Sequence, residues 1–165
     1  MNQTISGNTG TEAIWRPDVT VACVVPRDGR FLLVEENIRG NRVLNQPAGH
    51  LERDETLFDA ALRETREETG WDVVLSAFLG VYQWTNHDGD RHFLRFAFAA
   101  KPLLHHPGQA LDAGIEQALW LSRDELAAVQ DRLRSPMVLR NVDDWLAGKQ
   151  LSLDAIVPIL AGDRT

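Results

Sequence analysis

Hydrophobic and polar positions change period several times along the chain, and each change marks an element. Val19 to Val25 (VTVACVV) and Arg30 to Glu36 (RFLLVEE) are short runs rich in Val and Leu, separated by Pro26, Asp28 and Gly29. They read as strands over 18–26 and 30–36 joined as a hairpin. From 55 to 69 the period becomes three and four, so that Leu57, Phe58, Ala61, Leu62, Thr65 and Thr69 share one face of a helix of about four turns. Asp54 is placed to cap its start and Gly70 to end it, with no proline or glycine between them. Residues 73–86 and 91–100 read as a second hairpin turning at His87 to Asp90, and Gln117 to Leu121 as another short strand. Ser122 and Glu125 have capping-box spacing for a helix of about two turns, and Ser135 with Pro136 opens a final helix that Gly148 should stop. The order of elements is that of an α/β protein.

Composition narrows the class. At 165 residues, 44% hydrophobic and 25% charged, the chain is expected to form one domain over 15–148, preceded by a polar, mobile leader over 1–14. Residues 149–165 are expected to pack on that domain as an extension, since LSLDAIVPIL from Leu151 is apolar enough to cover a sheet edge. There is no run of 18 apolar residues and no basic segment leading an apolar one, so no membrane partner is expected and a cytoplasmic location is the default. Cys23 stands alone within an apolar run, which excludes an intramolecular disulfide and suits a small buried hydrophobe. A net charge of −7 argues against a nucleic-acid polymer as partner, because phosphate backbones are bound by clustered Lys and Arg. The partner expected is a small phosphorylated metabolite or nucleotide, bound by a monomer or homodimer.

The helix over 55–69 carries the candidate chemistry. Glu64 lies three residues before Glu67 and four before Glu68, so the carboxylates share a side within one turn, on the face opposite the apolar one. Like charges at these spacings cost roughly 0.2–0.5 kcal/mol per pair in an isolated helix. The cluster makes sense if a cation sits on it, and Mg²⁺, with Mn²⁺ as a substitute, is the hard ion that prefers such oxygens. The plain alternative is a solvated acidic face paired with Arg63 and Arg66. Arg63 is also spaced to reach Glu67 or Asp59 and orient the acids. Glu52, just ahead of the helix, is close enough in sequence to reach the same place.

The run Gly49 to Trp71, GHLERDETLFDAALRETREETGW, fits G-x5-E-x7-R-E-U-x-E-E-x-G-U at Gly49, Glu55, Arg63, Glu64, Glu67, Glu68 and Gly70. On these residues the chain resembles the Nudix hydrolase family. Thr65 and Trp71 depart from the aliphatic residues usual at their positions, and neither is a proposed ligand. The resemblance implies an α/β/α sandwich with a mixed β-sheet, and hydrolysis of a diphosphate linkage. It implies metal ligands at Glu64, Glu67 and Glu68, with the Gly49 carbonyl adding another. Further stretches, NQPAGHLERDETL from Asn45, QW at 83–84, FLRFAFA from Phe93 and LRSP from Leu133, resemble the NudJ-type subgroup of bacterial Nudix phosphatases. That likeness implies release of orthophosphate from nucleoside tri- and diphosphates and from thiamine-type pyrophosphates. Two other readings stay open: a pyrophosphohydrolase attacking an inner phosphorus, and a nucleotide sensor without catalysis.

Substrate contacts are less marked. Phe78, Tyr82 and Trp84 alternate along one strand, either as core or, for Trp84 near the strand end, as a stacking surface. Glu116 precedes the strand QALWLS and is the candidate acid outside the helix, as a ligand or as the base that takes a proton from water. Arg42, Arg39 and Arg95 are possible phosphate contacts by charge, each weighed against a solvated surface position; His50 and His87 carry no clearer signal.

Overall fold

The strands divide between two four-stranded sheets. The structure, a computed structural model, describes residues 15–159; the leader over 1–14 lies outside that range. In chain order come strands β1 (Asp18–Val24), β2 (Pro26–Arg27), β3 (Arg30–Ile38), β4 (Asn41–Asn45) and β5 (Ala48–His50), then helix α1 (Leu57–Thr69). Strands β6 (Trp71–Thr85), β7 (His92–His105) and β8 (Ile115–Ser122) follow, then α2 (Arg123–Ala128) and α3 (Met137–Leu146). The first sheet runs β5-β1-β7-β6, with β1 parallel to β7 and the other pairs antiparallel. In the second, β3 is flanked by β4 and β8 and meets β2 at its start.

The first hairpin forms only as a remnant. β1 and β3 belong to different sheets, and the chain crosses between them at Pro26, whose ring removes a ladder N–H. Val21 to Val25 and Phe31 to Val34 are buried on successive residues, so both strands are covered on both faces, which a two-stranded hairpin cannot do. The second hairpin is present, and the turn His87 to Asp90 is closed by Asn86 N–H donating to the Arg91 carbonyl at 3.0 Å. A bulge between Phe78 and Gly80 shifts register within β6. Phe78 therefore packs into the core on the α1 side while Tyr82 packs on the α3 side, and the three aromatics do not share a face.

One core layer joins Val21, Cys23, Phe78 and Phe98 of the first sheet to Ala60 and Ala61 of α1 and Leu32 of β3. The other joins Ala77, Leu79, Ala97 and Ala99 to Leu126 of α2 and Val138 and Val142 of α3. Helices thus lie on both sides of a mixed sheet, giving the α/β/α sandwich. Beyond α3, Leu151 exchanges both backbone hydrogen bonds with Phe78 on β6, at 2.9 and 2.8 Å, and Leu153 and Ile156 pack against the α1-side core. Among the described residues no helix is long and apolar enough to cross a membrane.

Candidate active site

Helix α1 begins later than its pattern predicts. Thr56 is the cap: its Oγ1 accepts from the Asp59 N–H at 3.0 Å, while Asp59 Oδ2 accepts from the Thr56 N–H at 3.3 Å. Asp54 instead takes a left-handed backbone, φ 64°. The later start leaves Glu55 outside the helix, where it accepts from Arg63 at 2.8 and 3.0 Å. Asp59, committed to the cap, is not a partner of Arg63. Gly70 ends the helix at φ 68°, its N–H donating to the Arg66 carbonyl at 2.8 Å.

The helix buries more than its apolar stripe. Thr65 is sealed in, its hydroxyl donating to the Ala61 carbonyl at 2.8 Å, whereas Leu62 is exposed. Glu64 and Glu68, expected on a face turned away from the core, are each only 8% exposed. They turn toward β5, the short edge strand that the sequence pattern did not reveal. Glu68 Oε2 accepts from the Ala48 N–H at 2.8 Å. A methyl group at Gly49 would stand 2.0 Å from Glu64 Oε1, so the strand can pass this close only because Gly49 has no side chain. Space, not backbone conformation, requires the glycine.

Glu64, Glu67 and Asp112 each bring a carboxylate oxygen within 4.8 Å of the others. Asp112 lies in the β7–β8 loop, which is laid along the end of α1: His106 N–H donates to the Gly70 carbonyl at 2.8 Å, Gln109 Nε2 to Arg66 at 2.8 Å, and Asp112 N–H to Glu67 at 3.1 Å. These bonds satisfy carbonyls at the helix end and deliver the outside acid. Burial raises the Glu64 carboxyl above its ordinary range against the opposing pull of Arg63, and Glu67 and Asp112 raise it further. Burial pushes Glu68 up to about 9, with Glu36, Glu64 and Asp112 adding to the rise. Arg63 bridges Glu64 at 2.9 Å, Glu67 at 3.1 Å and Glu55, and its Nη2 donates to the His50 carbonyl at 3.1 Å. Hard oxygens in excess over the cation facing them fit a divalent metal ion, and Glu64, Glu67 and Asp112, with Glu68 behind them, are the residues that could hold it.

Ala48 and Gly49 also form the lip of a cavity of about 250 Å³ on the face of the first sheet away from α1. Trp84 stacks on Phe93 at 5.3 Å and lines it, as do Arg95, Arg134 and Ser135. Arg95, weighed as a surface residue, is 6% exposed because it stands on β7, the inner strand between β1 and β6. Burial lowers its guanidinium to about 10, against the pull of Glu36 and Glu68, so it stays cationic at neutral pH.

The structure therefore brings together Gly49, Arg63, Glu64, Glu67 and Glu68, and puts Trp84 in the cavity that shares only Gly49 with them. It does not bring in Glu116 or Arg42. These two pair with each other at 2.8 Å on the second sheet, Glu116 also accepting from Asn37 at 3.0 Å, and neither lines the cavity. The acid delivered from outside the helix is Asp112. Glu52 is exposed in the loop, its N–H donating to Glu55; Arg39 and His87 are exposed as well. His50 lines the cavity rim, 3.4 Å from Asp18. Reading the sequence alone missed Asp112, and it named Glu55 as a fixed position of the motif without giving it a role.

Known proteins match this chain in sequence and in fold. The model of the NUDIX domain matches residues 15–142. Phosphatase NudJ of Escherichia coli K12 is 43% identical over 143 residues, covering 87% of this chain and 92% of that protein. A NUDIX hydrolase of Nitrosomonas europaea superposes with a TM-score of 0.85 at 41% identity, over 87% of this chain and 98% of that one. The NUDIX domain of Shewanella oneidensis NrtR, solved with ADP ribose, superposes at 0.63 with 19% identity, over 86% and 94% of the two chains, a likeness of fold alone.

Proposed function

Because this chain belongs to the Nudix family and is a hydrolase of phosphoanhydride bonds, we propose that it is a Mg²⁺-dependent phosphohydrolase releasing orthophosphate from small nucleoside tri- and diphosphates and from thiamine-type pyrophosphates. The observation that carries the reading is the joining of two features at one lip. Carboxylates of Glu64, Glu67 and Asp112 converge on one side of Gly49, and an aromatic and cationic cavity opens on the other.

Glu64, Glu67 and Asp112 would hold the ion, and Arg63 fixes the rotamers of Glu64 and Glu67 by bridging both. When bound, Mg²⁺ neutralises phosphate charge and lowers the pKa of water. Trp84, backed by Phe93, offers a flat face for a base or pyrimidine ring. Glu68, in its ionised form, takes the proton of the attacking water: it stands beside the cluster on the Ala48 N–H, and Glu116 is occupied by Arg42. Water oxygen bonds to the terminal phosphorus as the bridging P–O bond breaks. Orthophosphate leaves, and the shortened phosphate stays on the organic group.

Incubating the protein with Mg²⁺ and GTP, GDP, thiamine pyrophosphate, ADP-ribose or NADH, and following ³¹P NMR, tests this. Orthophosphate from the nucleotides and thiamine pyrophosphate is the expected product. Pyrophosphate or AMP moves the attack to an inner phosphorus, and absence of turnover with ligand still bound makes the chain a sensor.

A further inference from the structure

The deep end of the cavity is built unlike its lip. Thr20, Arg95 and Ser135 line it, and each is at least 94% buried. Each also carries a side-chain polar atom that has neither solvent nor a hydrogen-bond partner among the described residues: Thr20 Oγ1, Arg95 Nε and Ser135 Oγ. The guanidinium has one side-chain hydrogen bond, from Nη1 to Asn45 Oδ1 at a long 3.4 Å. Register explains the convergence. Thr20 pairs with Arg95 across the parallel β1–β7 ladder, which puts both side chains on one face, and the loop before α3 lowers Ser135 onto that face. Buried polar groups are normally satisfied, and a buried charge left short of partners is costlier still.

We propose that Arg95, Thr20 and Ser135 form a receptor for an anionic phosphoryl group, holding one end of the substrate's phosphate chain while the acidic corner behind Gly49 acts on the adjoining anhydride. The inference rests on the phosphohydrolase reading and adds where the phosphate chain is gripped. The three residues offer a cation and two hydroxyl donors, the set that phosphoryl oxygens accept from and that a neutral heterocycle would leave uncompensated. Charge on the walls agrees. Arg134 lines the same cavity, and Glu36, the one acid beside it there, sits 3.9 Å from Arg134. The receptor selects small phosphates with a free terminal group over diphosphates esterified at both ends, because its donors are buried at the end of a cavity of about 250 Å³.

The test is calorimetric titration of the whole protein with inorganic pyrophosphate in EDTA, where turnover plays no part. The parent is expected to bind. Thr20→Val and Ser135→Ala, which remove only a hydroxyl, should each weaken binding about tenfold, and Arg95→Gln about a hundredfold. Under Mg²⁺ the same variants should raise KM for GTP by similar factors with a smaller change in kcat. A parent that does not bind pyrophosphate, or Thr20 and Ser135 variants that bind it as the parent does, overturns the receptor. Neither result touches the phosphohydrolase reading, which stands or falls on the ³¹P products; lost binding in the variants with no orthophosphate formed would leave the receptor standing and remove the reaction.

Discussion

Two acidic clusters in this protein are built on opposite plans. Around Asp144 on α3, the carboxylate accepts from the Tyr82 hydroxyl at 2.7 Å, Arg140 at 2.8 Å and Lys149 at 3.0 Å. Burial alone would raise this carboxyl, but the three donors outweigh it and hold it below its ordinary range. Around α1, Glu64 and Glu68 are buried, yet with Glu67 and Asp112 close by they outnumber Arg63, the one guanidinium hydrogen-bonded to these acids among the described residues, and both carboxyls are raised. An anion that serves to pin a helix is given enough donors to stay charged. Anions left short, and held short by a glycine and a capped helix, are arranged for something that arrives from solution.

Substituting one acid in each cluster gives the largest contrast. Glu68→Gln keeps an oxygen for the Ala48 N–H and removes the carboxylate, so kcat should fall by about 10²–10⁴-fold. In EDTA at pH 8 the same variant should melt no lower than the parent, because folding no longer requires a proton to be taken up at this buried position. If Glu68→Gln turns over like the parent, the proton goes elsewhere and the α1 cluster loses its proposed base. Next in size is Gly49→Ala. Its methyl would meet the Glu64 carboxylate, which Arg63 already ties down, and a shift of about 1 Å there should cost about 100-fold in kcat. Manganese titration followed by EPR should weaken in step; unchanged Mn²⁺ affinity would mean that Glu64 is not a ligand.

How much of this contrast could be read from the sequence depends on what sets each position. The spacing within α1 is local, so Glu64, Glu67, Glu68 and Arg63 were legible, as was Gly49 through its fixed distance from them. The cap was misplaced because Asp54 and Thr56 are both good capping types, and only the capping box with Asp59 decides between them. β4 and β5 are short and partly polar, with no period to mark them, yet β5 carries the backbone against which Glu64 and Glu68 are buried. Asp112 and Arg95 owe their places to tertiary contacts. One is carried by a loop that caps the end of α1, the other by strand order that makes β7 an inner strand, and neither is written in the residues around it.

Stability should respond to pH with opposite signs at the two clusters. Asp144, lowered in the folded state, contributes stability above its unfolded value near 3.8 that is lost as pH falls through the folded one. Glu68, raised to about 9 from 4.5, makes the folded metal-free protein bind the extra proton, so stability should decline as pH rises between those values. Thermal melts in EDTA from pH 5 to 9 should show that decline, Mg²⁺ should shrink it, and Glu68→Gln should remove it. Asp144→Asn should instead lower stability by about 2 kcal/mol at pH 7 with kcat kept within about twofold. A large loss of turnover in Asp144→Asn would erase the distinction between the clusters.

The smallest effect is expected where the sequence alone placed an acid of the site. Glu116 stands outside both clusters, exposed on β8, with Arg42 at 2.8 Å and Asn37 at 3.0 Å as partners. An exposed pair of this kind is worth roughly 0–1 kcal/mol. Glu116→Gln should therefore shift kcat by less than about twofold and stability by under about 1 kcal/mol, whereas Asp112→Asn, made in parallel, should weaken Mn²⁺ binding. The comparison is decided by which of the two behaves like Glu64. If Glu116→Gln loses turnover and Asp112→Asn does not, the β7–β8 loop must leave the end of α1 in the working enzyme. The hydrogen bonds from His106, Gln109 and Asp112 to the last carbonyls of that helix are what the observed structure sets against such a movement.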